Sequence, residues 1–168
     1  MPSPDRKKQD LLLYKRLYVA QEDFRQAASF AKFILKNGWH FKPWEKRRMT
    51  YMKQSAYTTA LVVSYARPFT ESRGWPRIPR RLVPYNQEQK ALHKRILTLR
   101  NDVYAHTDVE KRDVRPFKIY GQPSAIEMLP QMRFTKEETE RIIQMIRLAN
   151  EAISNRLTQL IDTIQDET

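Results

Sequence analysis

The sequence predicts an all-α protein organised like a four-helix bundle with two long insertions. Its ten prolines leave four long proline-free windows, at residues 5–42, 44–67, 85–115 and 131–168. Proline breaks the interior of a helix because it removes a donor and clashes with the preceding turn. Only three glycines occur, and apolar residues recur at helical spacing within the windows. We therefore expect one helix in each window and a single domain over residues 1–168.

Each predicted helix has its own boundary signals. The first is expected over about residues 10–36, with Gly38 as a left-handed cap, and the second over about 44–67. The third and fourth open with the pattern of a capping box, in which Asn86 is followed by Gln89 and Thr135 by Glu138. The predicted buried stripes are Leu13, Leu17, Phe24, Ala27, Ala28, Ala31 and Ile34 or Leu35 in the first helix, Met52, Ala56, Ala60 and Val63 in the second, Leu92, Ile96, Leu99 and Val103 in the third, and Ile142, Ile146, Ala149, Ile153, Leu157, Leu160 and Ile164 in the fourth.

Two insertions separate these helices, at residues 68–85 and 108–134. Both are longer than the usual connection in a helical bundle. The first is rich in arginine and proline. In the second, the apolar stretches 117–120 and 126–129 flank residues 121–124, where glycine and proline favour a turn, so a small β-hairpin is predicted there.

The charge of the chain points to a polyanionic partner. Its net charge is +12, and residues 135–168 contain four basic and seven acidic side chains, so the positive charge lies in the rest of the chain. Basic charge concentrated in one part of a protein is typical of nucleic-acid binding. An anionic membrane surface is less favoured, because the basic residues do not form one face of an amphipathic helix.

Several classes of function are disfavoured by what the sequence lacks. There is no cysteine, which excludes disulfides and thiolate metal sites, and the three histidines are too far apart to suggest a zinc site. Neither a glycine-rich phosphate loop nor a GxSxG motif is present, so no cofactor is expected. The polar start of the sequence and the lack of an apolar run of about 20 residues predict no signal peptide or membrane span, and hence a cytoplasmic location.

The candidate catalytic residues lie at the end of the third predicted helix and are Arg100, Asn101 and His106. Arginine offers a planar fork suited to phosphate, histidine transfers protons near neutral pH, and asparagine can orient either the imidazole or a phosphate oxygen. These groups suffice for RNA cleavage by the 2′-hydroxyl, without a metal. Asp102 and Tyr104 lie near this site with no assigned role.

The spacing of this motif raises a geometric question. On an ideal helix, Arg100 and His106 lie about 120° apart. Either the helix ends or bends before His106, or two subunits build the site. A purely structural alternative is that His106 interacts with the helix dipole while Arg100 forms a surface ion pair with Asp102 or Asp108.

This segment resembles the signature of the HEPN family (higher eukaryotes and prokaryotes nucleotide-binding domains). That signature is an arginine, usually followed at once by a polar residue, and a histidine separated from the arginine by four to six residues. Here five residues separate Arg100 from His106. The sequence Leu-Arg-Asn…Ala-His-Thr around Arg100 and His106 is similar to the corresponding sequence of abortive-infection toxins of the family. One departure is Asp108, which stands where some toxins carry a tyrosine that an antitoxin modifies.

The resemblance implies an α-helical bundle and a metal-independent endoribonuclease that acts as a toxin or defence effector. It also implies RNA as substrate, an antitoxin or regulatory partner, and a homodimer in which two copies of the motif face each other across a two-fold axis. The alternatives are a non-catalytic RNA- or nucleotide-binding module of the same fold and a basic interaction protein that docks an acidic partner.

A second candidate RNA-binding segment lies at the start of the first insertion. It combines five arginines with one tryptophan, a composition suited to single-stranded RNA because guanidinium groups bind phosphates and rings stack on bases. The alternative is a solvated loop without function. His40 and His93 are interpreted as ordinary polar positions. The candidate RNA-binding residues are Arg67, Arg73, Trp75, Arg77, Arg80 and Arg81.

Overall fold

The computed structural model describes residues 4–42, 44, 48–101, 113–128 and 133–165. Within these ranges the chain forms helices α1 (Pro4–Lys36), α2 (Arg48–Ala66), α3 (Gln87–Leu99) and α4 (Lys136–Gln165). Strands β1 (Asp113–Ile119) and β2 (Gln122–Met128) form an antiparallel hairpin between α3 and α4. The predicted four-helix architecture with a hairpin in the second insertion is confirmed. None of the helices in the described ranges has the length and apolarity of a membrane span.

The hydrophobic core lies where α1 packs along α4 and α2. The buried residues of α1 are separated by three or four positions, which places them on one side of the helix. Stripes from α4 and α3 complete the core. The stripes predicted in these three helices are confirmed, with two exceptions: Val103 lies outside the described residues, and Ile164 is only half-buried and does not join the core. The fully or nearly fully buried members are Leu17, Ala20, Phe24, Ala27, Ala31 and Ile34 in α1, Leu92, Ile96 and Leu99 in α3, and Ile142, Met145, Ile146, Ala149, Ile153 and Leu160 in α4.

The buried face of α2 differs from the prediction. Met52 is 55% exposed and Ala56 is also exposed, whereas Gln54 and Tyr65 are wholly buried. Gln54 tolerates burial because its amide donates to the carbonyl of His40 at 3.0 Å and accepts from Arg133 Nη1 at 2.9 Å. Since a polar residue with satisfied hydrogen bonds occupies the core face, apolar periodicity alone selected the wrong side of the helix.

The helix ends follow the predicted capping signals. Gly38 has a φ of +65°. Its N–H donates to the carbonyl of Leu35, and the N–H of Trp39 donates to the carbonyl of Ile34. These two bonds define a Schellman motif. Both predicted capping boxes also form, at Asn86 with Gln89 and at Thr135 with Glu138. The first helix begins earlier than predicted, at Pro4, and α2 ends at Ala66 before a 3₁₀ turn that contains Pro68.

The hairpin has longer strands and a tighter turn than expected. Tyr120 and Gly121 form a two-residue loop with φ values of +48° and +81°, as in a type I′ turn. Because Ile119 pairs with Gln122 next to this loop, Pro116 and Pro123 fall at non-hydrogen-bonded positions of the ladder, where a missing N–H costs nothing. Pro123, which was predicted to lie in the turn, therefore lies in β2.

Candidate functional site

The end of α3 positions two of the predicted catalytic residues. Leu99 is buried, and Arg100 continues the helical backbone with its N–H bonded to the carbonyls of Ile96 and Leu97. The side chains of Arg100 and Asn101 contact each other: Nη1 of the arginine donates to Oδ1 of the asparagine at 3.0 Å. Arg100 is half-buried and Asn101 is exposed. The amide of Asn101 therefore orients the guanidinium of Arg100 and uses one of its five N–H donors.

The remaining residues of the predicted site, Asp102, Tyr104 and His106, lie outside the described residues. The angular relationship between Arg100 and His106 accordingly stays a prediction. So does the role of His106 in proton transfer.

A cleft of about 500 Å³ runs along α3 and reaches Asn101. Its α3 wall consists of residues spaced by three and four positions, so they share one side of the helix. The opposite wall is formed by Phe69, which follows α2, and by the segment that precedes α3. The lining residues are Phe69, Val83, Tyr85, Lys90, His93, Lys94, Leu97, Thr98 and Asn101. We call this feature the α3 cleft.

Charge and polarity vary along the α3 cleft. Lys90 and Lys94 are exposed and lie one helical turn apart. Phe69 and Leu97 are half-buried and supply apolar surface. Among the lining residues that the structure describes there is no carboxylate, so the cleft is suited to an anionic ligand.

His93 is held in the wall of the α3 cleft by two buried tyrosines. Its Nδ1 lies 3.0 Å from the hydroxyl of Tyr65, which lies 3.2 Å from the hydroxyl of Tyr85. The hydroxyl of Tyr85 in turn donates to the carbonyl of Met145 at 3.2 Å. The ring of Phe69 meets the imidazole edge to face, with a centroid distance of 4.6 Å.

The directions of these hydrogen bonds follow from the carbonyl of Met145, at which the chain of hydrogen bonds ends. A carbonyl can only accept, so the proton of Tyr85 is committed to Met145 and the proton of Tyr65 to Tyr85. With its proton on Tyr85, Tyr65 accepts from His93 in the tautomer that carries a proton on Nδ1. Burial raises the pKa of Tyr65 well above its ordinary value and that of Tyr85 to about 12, so both phenols keep the protons that this arrangement needs.

His93 was not among the residues predicted to be functional. The only local signal is that Lys90, His93, Lys94, Thr98 and Asn101 form one polar side of α3, and such a side normally faces solvent. The tyrosines that hold the imidazole come from α2 and from the segment before α3. No spacing rule connects these positions with His93.

Arg16, which was not predicted to be functional either, organises the arginine-rich segment. Arg16 is buried, and its Nη2 donates to the carbonyls of Arg67 and Pro68 at 2.7 and 3.1 Å. The guanidinium carbon also lies 6.0 Å from the ring centroid of Trp75. Arg16 therefore donates hydrogen bonds to carbonyls that directly follow α2, and it holds the start of the arginine-rich segment against α1.

The six predicted RNA-binding residues differ in their surroundings. Arg67 forms an ion pair with Asp23 at 3.3 Å, and Arg77 forms one with Glu71 at 2.6 Å. Arg73 is exposed and Trp75 is half-buried. Arg81 lies beside Arg156 along a groove next to α1, while Arg80 lies in a 3₁₀ turn and its side chain is outside the described set. Of the four arginines in this set whose side chains the structure describes, Arg67 and Arg77 thus already have carboxylate partners.

Comparison of the chain with protein-family models, with curated proteins and with solved structures yields no match. The resemblance to the HEPN signature therefore depends on the residues of the motif and on the helical architecture. In the parts of the chain that the structure describes, no group of three or more histidine, aspartate or glutamate side chains is placed to hold a metal ion.

Proposed function

We propose that this protein is a metal-independent endoribonuclease of the HEPN type, acting as a toxin or defence effector. The observation that carries the proposal is the position of the Arg100–Asn101 pair, which lies at the end of α3 where the basic α3 cleft opens. Phosphate-binding side chains next to a cationic cleft are what a nuclease needs to hold an RNA backbone near its reacting phosphate.

The proposed roles follow from the chemistry of each side chain. His106 takes the proton of a ribose 2′-hydroxyl, whose oxygen then attacks the adjacent phosphorus. The bond from phosphorus to the 5′-oxygen breaks, and that oxygen receives a proton from a histidine acting as acid. Arg100 binds the non-bridging oxygens and stabilises the charge that grows on them, while Asn101 orients Arg100.

This reaction needs both a base and an acid, and each chain supplies one His106. Two subunits related by a two-fold axis would provide two such histidines and two arginines around one phosphate, which is why we propose a homodimer. Sedimentation at the concentrations used for cleavage assays tests this. A strictly monomeric protein that still cuts RNA would show that one chain contains a complete site.

Analysis of the products tests the proposed reaction. Cleavage should yield 2′,3′-cyclic phosphate and 5′-hydroxyl ends, and it should continue in EDTA because no step uses a metal. A substrate with 2′-deoxyribose at the cut site should resist, while the same substitution three nucleotides away serves as the matched control. Products with 5′-phosphate ends, or complete loss of cleavage in EDTA, would refute the mechanism.

The second candidate function is a non-catalytic RNA- or nucleotide-binding module. The α3 cleft favours it, because its lysines and apolar wall can bind a ligand without any contribution from His106. If purified protein binds RNA but never cleaves it, alone or with added partners, the binding module is the better description.

A further inference from the structure

We propose that the α3 cleft binds one nucleotide of the RNA, with the phosphate at Lys90 and Lys94 and the base against Phe69 and Leu97. This inference rests on the proposed function in that it names a substrate contact of the same site. It adds a binding position about two helical turns before Arg100, formed by residues outside the signature motif.

The lining chemistry matches the parts of a nucleotide. Two lysines at positions i and i+4 present their ammonium groups on the same side of α3, where they can bracket one phosphate. Phe69 and Leu97 are half-buried and offer apolar surface to a base, and an aromatic ring favours stacking. The volume of about 500 Å³ lies within the range of small-molecule sites.

The wall of the cleft is rigid at its polar centre. The chain of hydrogen bonds from Met145 through Tyr85 and Tyr65 fixes the imidazole of His93 in the cleft wall that the two lysines and Asn101 also line. A preorganised polar group recognises a ligand at lower entropic cost than a mobile one. Asn101 lines the same cleft and contacts Arg100, so a nucleotide bound there would lead directly to the proposed reacting phosphate.

The first test compares two pairs of charge-removing substitutions in the full-length protein. Lys90→Gln/Lys94→Gln removes the proposed phosphate ligands, whereas Lys32→Gln/Lys36→Gln removes the same charge at the same spacing on α1. The cleft pair should weaken binding of single-stranded RNA roughly tenfold and lower the slope of log K against log salt by about 0.7, the value for one phosphate contact. Equal effects of the two pairs would overturn the proposal, since binding would then follow net charge alone.

A second variant tests the cleft with less risk to folding. Thr98 is exposed and lines the cleft, so Thr98→Glu adds a carboxylate beside the proposed phosphate position. Its control is Ser29→Glu on the exposed surface of α1. Thr98→Glu should weaken RNA binding several-fold more than Ser29→Glu, and an equal effect would contradict the proposal.

The contribution of the base is tested with small ligands. Adenosine 5′-monophosphate should bind more tightly than ribose 5-phosphate or inorganic phosphate, because only it carries a base. Lys90→Gln/Lys94→Gln should weaken the binding of all three ligands, because each contains the phosphate. Equal affinities of the three ligands would refute a nucleotide site. RNA cleavage is measured separately from binding. If the cleft variants cleave RNA with an unchanged KM, the nucleotide site in the α3 cleft is rejected and the proposed nuclease activity is not. If RNA binding depends on the cleft but no RNA is cleaved, the proposed nuclease activity is rejected and the nucleotide site is not.

Discussion

The hydroxyl oxygen of Tyr65 lies 3.0 Å from Nδ1 of His93, and this contact joins the buried interior of the helical bundle to the wall of the α3 cleft. Tyr65 is wholly buried and also packs edge to face on Phe24, in the centre of α1. The position of the imidazole is thus set by the same residues that hold α1 and α2 together.

The directional chain of hydrogen bonds predicts coupled effects of two substitutions. Tyr65→Phe removes the hydroxyl that contacts Nδ1 of His93. Tyr85→Phe removes the acceptor of the Tyr65 hydroxyl and a second donor to the carbonyl of Met145. Each substitution should lower the free energy of unfolding by about 1–3 kcal/mol. The double variant should lower the free energy of unfolding by less than the sum of the two single variants, because the hydrogen bond between the two hydroxyls is lost only once. Urea denaturation measures all three values, and strict additivity would contradict the connected chain.

Arg16 should not be replaceable by lysine. Lysine keeps the charge, but its side chain is shorter than that of arginine and has no planar guanidinium to place over the ring of Trp75. Arg16→Lys should therefore lower the free energy of unfolding by about 1.5–3 kcal/mol. Arg6→Lys, on the exposed start of α1, is the matched control and should change it little. Comparable effects of the two substitutions would mean that the contacts of Arg16 with Arg67 and Pro68 contribute nothing to stability.

Asp23 should contribute a characteristic pH dependence. Burial raises the pKa of its carboxyl group, an effect that the nearby Arg67 opposes. A folded-state pKa above the unfolded value of about 3.9 means that the contribution of Asp23 is fully present below that pH and is lost as the pH rises through the raised folded-state pKa. The stability of wild type relative to Asp23→Asn should therefore fall as the pH is raised from about 4 in urea titrations. A relative stability that rises with pH would show that the ion pair with Arg67 outweighs burial.

The arginine-rich segment makes a separate prediction about salt. Replacing Arg77, Arg80 and Arg81 together with alanine should flatten the salt dependence of RNA affinity, because contacts with phosphates release counterions. The control replaces Lys15, Lys32 and Lys36, which are exposed on α1, and removes the same charge. An unchanged slope in the arginine variant would identify the segment as a loop without a role in binding.

Much of the fold was predictable because its signals are local. The stripe of α1 from Leu17 to Ile34 and that of α4 from Ile142 to Leu160 depend only on spacing, and the cap at Gly38 and both capping boxes depend on residues within one turn. Arg100 and Asn101 directly follow α3, and their position depends on the same local signals.

What sequence reasoning missed depends on contacts between distant segments. Gln54 occupies the core face of α2 because its partners, His40 and Arg133, lie on either side of it far away in the chain. His93 belongs to a cleft wall because of Tyr65 and Tyr85. In both cases a polar residue is stabilised by hydrogen bonds that no periodicity reveals.

Cleavage of RNA by the wild type and by the variant His106→Ala tests the central claim most directly. General acid–base catalysis typically contributes roughly 10²- to 10⁴-fold, so His106→Ala should lose cleavage by about that factor while RNA affinity, measured on the same preparation, stays nearly constant. Arg100→Ala should reduce both, whereas Arg147→Ala, an exposed position on α4, should leave cleavage unchanged. Equal rates of RNA cleavage by wild type and His106→Ala would contradict the account.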